Sequence, residues 1–375
     1  MRMELEEFEE AEREYRAFAA EHVAPHAALI DREEHIPRAV VDALVQAGYF
    51  GSGFQANAEP DPVAATIRHG LLHEALGWAS ASVQGLLNVH HMGGSAIARW
   101  GTREQKEQWV PRLVSGEVLA AIAITEPHVG SDASAVATTA TPDGTDFVIN
   151  GTKRWITCGQ SADVFVVLAS GPTAFIVPRR TEGLTIEPIR GILGCRGYML
   201  AELHFDNCRI PGDHLLGRPG FGLTHVVATG LDSGRYNLAW GCVGLARACL
   251  DASFDYSRQR RQFGSALSEL QLVQQLISKM MTDVEAARLL CFRAGTLRGR
   301  RDPAAIKLSA MAKYFASTMV NRVAYDAVQI HGASGVGPDL PLQRYLRDAR
   351  IMEIVEGSTQ ILEIAIARYG YQERG

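Results

Sequence analysis

The chain has 375 residues, 47% of them hydrophobic, and a formal net charge of -5. That length and apolar share suffice for two or three domains around a large buried core, while the slight acidity and the lack of a dense Lys/Arg tract exclude the basic footprint with which nucleic-acid binders neutralise phosphates. Six cysteines, Cys158, Cys195, Cys208, Cys242, Cys249 and Cys291, fall without short paired spacings, which argues against a zinc knuckle, a redox pair or a disulfide framework and leaves free thiols.

The opening Met1-Arg2-Met3-Glu4-Leu5-Glu6-Glu7 holds no apolar core segment, and no later apolar run approaches the roughly 20 residues that cross a bilayer, so a cytoplasmic protein without membrane insertion is expected. From Leu5 to about Glu117 apolar residues recur at helical spacing, as in Phe8, Ala11, Tyr15 and Phe18 and again in Val41, Leu44 and Val45. This predicts an N-terminal α-helical domain over 1–118. Pro37 is placed to open a helix, Gly51, Gly53 and the run from Asn57 to Pro62 mark a loop, and the helical pattern stops near Ser115-Gly116.

Between about Ala120 and Gly222 the period shortens, with Phe147-Val148-Ile149, Val164 to Leu168 and Ala174 to Val177 as short apolar runs divided by turn residues. They predict a compact, barrel-like β domain over 119–222. Two-residue turns are expected at Asp143-Gly144 and at Asn150-Gly151, the second as a type I′ hairpin. From Leu223 to Arg368 helical stripes return: Ala239, Val243, Ala246 and Leu250 in one, Leu272, Leu276 and Met280 in another. Four long helices are expected over 223–375. With no internal repeat or low-complexity tract, the predicted fold is multidomain α+β, ordered helices, strands, helices.

Several short stretches carry chemistry. Ile354-Val355-Glu356-Gly357-Ser358-Thr359-Gln360 sets one carboxylate beside a glycine and hydroxyl residues in an otherwise apolar segment. A carboxylate in dry surroundings has its pKa raised toward neutrality and serves as a base; a solvated glutamate at a helix end is the plainer reading. Thr125-Glu126-Pro127-His128-Val129-Gly130-Ser131-Asp132 joins a turn to amide and hydroxyl donors, either as turn chemistry alone or as a binding loop. In Trp155-Ile156-Thr157, strand alternation puts Trp155 and Thr157 on one face, as core or as a surface for a planar ring. Arg260 and Phe263, three apart on a predicted helix, share a face. Asp232 and Arg235 have the same spacing, and a surface ion pair is the plain reading.

In order along the chain, Thr125-Glu126-Pro127 with Gly130-Ser131-Asp132, Asn150-Gly151-Thr152-Lys153 leading into Trp155-Ile156-Thr157, Arg260 with Phe263-Gly264, Gln329-Ile330-His331-Gly332 and Glu356-Gly357 resemble the acyl-CoA dehydrogenase family over nearly the full length. The resemblance implies an FAD-dependent oxidoreductase of acyl thioesters, with an N-terminal helical domain, a middle β domain and a C-terminal four-helix bundle. It implies Glu356 as the base for the α proton, with its own backbone amide on the thioester oxygen, and FAD as acceptor of the β hydride. Some members carry the base just before the arginine of Leu231-Asp232-Ser233-Gly234-Arg235, where this chain has glycine.

The matching flavin contacts are Ile122, Ile124, Thr125, Gly130, Ser131, Trp155, Ile156 and Thr157, with Arg260 beside Phe263 matching a pyrophosphate contact. In the family the elements here matching Arg260, Gln271 and the Gln329, Ile330, Gly332, Ala333 turn reach a neighbouring subunit's FAD, which implies a homodimer or homotetramer; Ala333 replaces a usual glycine. Ser358 and Gln360 match adenine-nucleotide contacts. On the substrate side stand Ser131 and Gly357, with Asp232 and Arg235 matching pantetheine contacts. Tyr198 takes the place of a small hydroxyl residue near the thioester, which implies a narrower or differently hydrogen-bonded acyl pocket. The pattern asks for no metal.

Ala239-Trp240-Gly241-Cys242-Val243-Gly244, together with Gly194-Cys195-Arg196, resembles the acyl-carrier-protein dehydrogenases that make hydroxymalonyl, methoxymalonyl or aminomalonyl extender units for polyketide antibiotic pathways. That resemblance implies a short hydroxy- or amino-substituted C3 acyl substrate on an acyl carrier protein, a small acidic partner. The alternative is a catabolic short-chain acyl-CoA dehydrogenase with the same Glu356 and FAD, passing electrons to an electron-transfer flavoprotein. A flavin monooxygenase or oxidase and an inactive scaffold are more distant alternatives, the last disfavoured by the retained Glu356.

Overall fold

The structure, a computed structural model, describes residues 2–55 and 60–373, so half of the loop expected between Asn57 and Pro62 lies outside the described residues. Helices come first: α1 (Arg2–His22), α2 (Ala27–Glu33), α3 (Arg38–Gln46), α4 (Ser52–Gln55), α5 (Pro62–Ala79), α6 (Ala81–Trp100) and α7 (Arg103–Val114). Local chemistry sets their starts. Pro37 precedes α3 as its N-cap. Asp61 caps α5 by accepting from the Val63 and Ala64 N–H groups at 2.9 and 3.0 Å, with Pro62 at the first helical position. Thr102 and Gln105 form a capping box on α7. Helices α5 and α6 are buried on nearly every face, which makes them the inner pair. Gly51 and Gly53 are not in a loop: they lie in a 3-10 turn and in α4. At Gly53 the reason is a close approach, since a Cβ there would stand 2.8 Å from the His91 ring.

The middle segment holds β1 (Ala120–Ala123), β2 (Thr139–Asp143), β3 (Asp146–Ile156), β4 (Val164–Ala169), β5 (Thr173–Pro178), β6 (Leu184–Pro188), β7 (Ala201–Ile210) and β8 (Leu215–Leu216). Among the described residues they form two separate sheets, ordered β1-β4-β5-β8 and β2-β3-β7-β6, rather than a closed barrel. β1 is parallel to β4 and the remaining pairings of these sheets are antiparallel. The sheets meet face to face, with the Phe147 and Phe175 ring centroids 5.0 Å apart. Asp143-Gly144 opens the β2–β3 hairpin, with Asp143 paired to Asp146 and Gly144 at φ 64°. Asn150-Gly151 makes no turn. β3 runs through it, Asn150 pairing with Thr139, and Gly151 at φ 145° sits at a register shift against β7. Strands on both sides turn a hairpin signal into a bulge.

A π-helical turn at Gly222–Val227 leads into α8 (Ala228–Gln259). There follow a hairpin of β9 (Arg261–Gln262) and β10 (Ser265–Ala266), then α9 (Gln271–Gly299), α10 (Ala305–His331), α11 (Ala333–Val336), α12 (Leu342–Met352) and α13 (Thr359–Gln372). Three of these helices are long; the fourth position of the bundle is shared by α12 and α13, both packed on α10. The break between them holds Glu356. Ala239, Val243 and Ala246 are buried as their stripe predicts, whereas Leu272, in the first turn of α9, is 76% exposed. All six cysteines are free and buried, and no described helix is long and apolar enough to cross a membrane.

Candidate active site

Glu356 occupies the α12–α13 turn at φ 61°, followed by Gly357 at φ 98°. A left-handed non-glycine residue costs about 1–2 kcal/mol, and the surrounding side chains fix the turn through its backbone. Arg235 Nε of α8 donates to Glu356 O at 3.2 Å, and buried Lys313 Nζ of α10 donates to Gly357 O at 2.9 Å. The Thr359 N–H donates to Glu353 O at 3.1 Å. The carboxylate thereby enters the space between α6 and α8. Asn88 Nδ2 donates to Oε1, while Oε2 is shut off from solvent and has no hydrogen-bond partner. A Cβ on Gly234 would stand 2.2 Å from Oε2 and 2.7 Å from Met92 Sδ. The missing side chain at 234 is the room in which the carboxylate sits.

Burial raises the Glu356 carboxyl to about 7, against the opposing pull of Lys313, the Asn88 hydrogen bond and Arg235. Burial likewise lowers the Lys313 ammonium to about 8. A base poised near neutral pH is matched to proton abstraction. Asp232 and Arg235 do not pair with each other: Arg298 of α9 holds Asp232 at 2.6 Å, which leaves Arg235 for the Glu356 turn. Tyr198, in the 3-10 turn Arg196–Tyr198, is buried with its ring against α6, since a Cβ on Gly85 would stand 2.1 Å from Cε1. Burial pushes its phenol well up, and the charges of Cys195 and Glu356 add to that.

A second group forms at the end of β3. Fully buried Lys153 donates to Glu126 at 2.7 Å and to Ile124 O at 2.9 Å, and the Arg154 N–H donates to Thr125 O at 2.8 Å. These bonds pin the Thr125 to Ser131 loop beside Trp155. Burial alone would raise the Glu126 carboxyl, but hydrogen bonds from Lys153, Thr138 and Ala137 bring it down to about 2. Trp155 and Thr157 do not share a strand face, because β3 ends at Ile156 and Trp155 has φ 63° at a register shift against β7. Its indole is 48% exposed. Ile122 and Ile156 are buried behind it, Ile124, Thr125 and Thr157 are half-buried, and Gly130 and Ser131 are exposed. An open aromatic face with a glycine turn and hydroxyls beside it suits a planar ring with a polar edge.

The third group lies elsewhere. Arg260 and Phe263 are not on one helix: α8 ends at Gln259, and Phe263-Gly264 is the turn of the β9–β10 hairpin, with Phe263 at φ 52° and 94% exposed. Arg260, Gln271, Gln329, Gly332 and Ala333 are exposed and Ile330 is buried, all at the bundle end where Tyr256 stacks on His331 with centroids 4.3 Å apart. Arg235 and Arg260 stand about 37 Å apart along the α8 axis, so a single chain does not bring this group to Glu356. Ser358 instead caps α13, accepting from the Ile361 N–H at 3.5 Å, and Gln360 beside it is exposed.

Three site residues escape sequence reasoning: Asn88, Met92 and Lys313. The available signal is polar residues where helices are otherwise apolar, Gln84 and Asn88 one turn apart on α6 and Lys313 amid the alanines of α10.

Family models for the acyl-CoA dehydrogenase N-terminal, middle and C-terminal domains match residues 5–117, 121–208 and 220–370. The chain is 36% identical to the probable acyl-CoA dehydrogenase FadE25 of Mycobacterium tuberculosis, covering 97% of this chain and 95% of that protein. It is 37% identical to the human mitochondrial short-chain specific acyl-CoA dehydrogenase, covering 94% and 87%. Among solved structures, glutaryl-coenzyme A dehydrogenase in complex with glutaryl-CoA superposes with a TM-score of 0.90 at 33% identity, over 96% of this chain and 94% of that one. FkbI, for biosynthesis of the methoxymalonyl extender unit of a polyketide, gives 0.84 at 30% identity over 95% and 99%, and the prolyl acyl carrier protein oxidase AnaB gives 0.90 at 26% over 96% and 98%. With its three domain types matched in order, the chain belongs to the acyl-CoA dehydrogenase family and is an FAD-dependent oxidoreductase acting on acyl thioesters.

Proposed function

We propose that the chain oxidises a short hydroxy- or amino-substituted C3 acyl group, held as a thioester on an acyl carrier protein, in the making of polyketide extender units. Glu356 is the base. The observation that carries this is a carboxylate oxygen, Oε2, buried without a partner between Asn88, Met92 and Gly234, on a group titrating near 7. An α proton delivered to Oε2 gives that oxygen the partner it lacks, and the Glu356 N–H is assigned to the thioester oxygen that gains charge.

The polar character of the pocket supports a substituted acyl group. Asn88 Oδ1 is a buried acceptor without a partner, suited to a hydroxyl or ammonium, and Tyr198 fills space that a longer apolar chain needs. Likeness to FkbI and AnaB supports the carrier protein. Arg235, Asp232, Ser131 and Gly357 are assigned to the pantetheine and thioester. Bound FAD supplies the two-electron acceptor for the substrate's hydride. The residues fit it: Trp155 offers an open ring face, and Ile122, Ile124, Thr125, Gly130, Ser131, Ile156 and Thr157 are assigned to the flavin beside it. Ser358 and Gln360 are assigned to the nucleotide end. Arg260, Phe263, Gln271, Gln329, Ile330, Gly332 and Ala333 are assigned to the FAD of a second copy in a dimer or tetramer, and an electron-transfer flavoprotein is the proposed acceptor.

The test is anaerobic bleaching of the visible flavin spectrum by short acyl-CoAs and by matching hydroxyacyl and aminoacyl carrier proteins. Bleaching by carrier-bound C3 units alone is expected; bleaching by simple acyl-CoAs transfers the assignment to a catabolic short-chain dehydrogenase. Glu356→Gln keeps the shape and removes the base, so it is expected to retain FAD and to lose substrate-driven bleaching by at least roughly a thousandfold.

A further inference from the structure

Helices α5 and α6 face each other through three buried histidines that the chemistry at Glu356 does not use. His69 and His73 stand one turn apart on α5, and His91 comes from α6. One nitrogen from each lies within 4.8 Å of the others. Each ring is also held from outside the cluster. His69 Nε2 is 3.0 Å from Asn237 Oδ1, and His91 Nε2 is 3.2 Å from Phe50 O. Phe50 O takes the His91 ring proton and leaves its Nδ1 as a bare lone pair; at His69 both Asn237 Oδ1 and Ser52 Oγ, which donates to Tyr49 O at 2.8 Å, are acceptors, and a metal on Nδ1 selects the tautomer with the proton on Nε2. His73 Nδ1 is 3.2 Å from Gln84 Nε2, which also donates to Asn237 O at 3.3 Å; a metal on His73 Nε2 requires the Gln84 amide to turn over, so that its Oε1, buried without a partner, accepts from Nδ1–H.

The inward nitrogens are therefore His69 Nδ1, His73 Nε2 and His91 Nδ1. The last two are 3.4 Å apart, and two ligands each about 2.0–2.1 Å from a tetrahedral zinc are separated by about the same distance. Ser52 Oγ, 3.1 Å from His69 Nδ1, is the hydroxyl beside the cluster that can serve as a fourth ligand. Gly53 lets α4 close over the cluster, as the 2.8 Å approach to His91 requires. Glu74, next to His73, is taken up by Arg247 and Arg288. Three imidazoles and a hydroxyl select a zinc-class first-row divalent ion over calcium or magnesium.

We propose that His69, His73 and His91, with Ser52 completing the set, bind one zinc-class ion that ties α5 to α6, although the sequence pattern asks for no metal. The ion braces the stretch of α6 between Gln84 and His91, which carries Asn88 to the Glu356 carboxylate.

The flavin-loaded protein is to be stripped with a chelator, equilibrated with Zn2+, gel-filtered and assayed for metal. About one zinc per chain is expected, falling at least roughly tenfold in His73→Gln and in His91→Gln, with flavin content and circular dichroism reporting that the variants are folded. X-ray absorption of the zinc-loaded wild type needs no variant: imidazole nitrogens at about 2.0–2.1 Å are expected. Sulfur ligation, zinc retained by both variants, or a wild type that holds none overturns the proposal and leaves the histidines as a neutral hydrogen-bonded chain from Gln84 to Phe50.

Discussion

A carboxyl whose pKa rises on folding opposes folding whenever it is ionised. Glu356 moves from 4.5 to about 7, so the folded chain holds a proton that the unfolded chain releases between those values. The penalty is absent below pH 4.5, grows through the interval and levels off above pH 7 at about 3 kcal/mol. Glu356→Gln is therefore expected to be more stable than the wild type at pH 8, with the gap closing toward pH 4.5; denaturant midpoints at the two pH values measure it. Activity runs the other way, rising as pH passes about 7 and the base ionises. Gly234→Ala tests the same carboxylate by steric means. Its methyl meets Oε2, and kcat is expected to fall about a hundredfold with flavin still bound, as read by turnover and by the flavin spectrum. At this scale the burial of Glu356 was legible, from an acid set among Ile354, Val355 and Gly357. Asn88 was not, because its partner lies in another domain and no spacing within α6 points to it.

Elements place the other contacts, and the Lys153–Glu126 pair is the clearest case. Lys153→Met strands a buried carboxylate, at roughly 3–5 kcal/mol, and unpins the Thr125 loop from β3. Lower thermal stability and loss of flavin on gel filtration are expected together; a variant that melts lower yet keeps its flavin would separate the loop from cofactor retention. The wild-type pair contributes stability above pH 4.5 that is lost as pH falls toward 2, through the lowered Glu126 pKa. The strands around this pair were legible from short apolar runs. What misled was local signal without its neighbours: Asn150-Gly151 turns a chain only if pairing stops there, and β2 still pairs with Asn150 while β7 continues past Gly151. Helical spacing was likewise carried too far at Arg260, since α8 stops at Gln259.

The whole molecule sets Glu356 and Arg260 near opposite ends of a long helix. Exposed Phe263 and Leu272 add apolar surface to the Arg260 end, and the proposed second copy covers it. Arg260→Glu is expected to lower FAD per chain severalfold with unchanged circular dichroism; sedimentation and flavin content check both parts, and full flavin occupancy would place this group outside the cofactor site. The order helices, strands, helices was legible from the change of period alone, and 1–118, 119–222 and 223–375 stand as the proposed boundaries. The division of the strands into two sheets and the sharing of the fourth bundle position by two helices depend on contacts between elements distant in sequence, which period does not report. Finally, residues 234 and 356 claim one volume from opposite sides of the bundle. A side chain is admitted at 234 only where the one at 356 is shortened, so the two positions change as a pair.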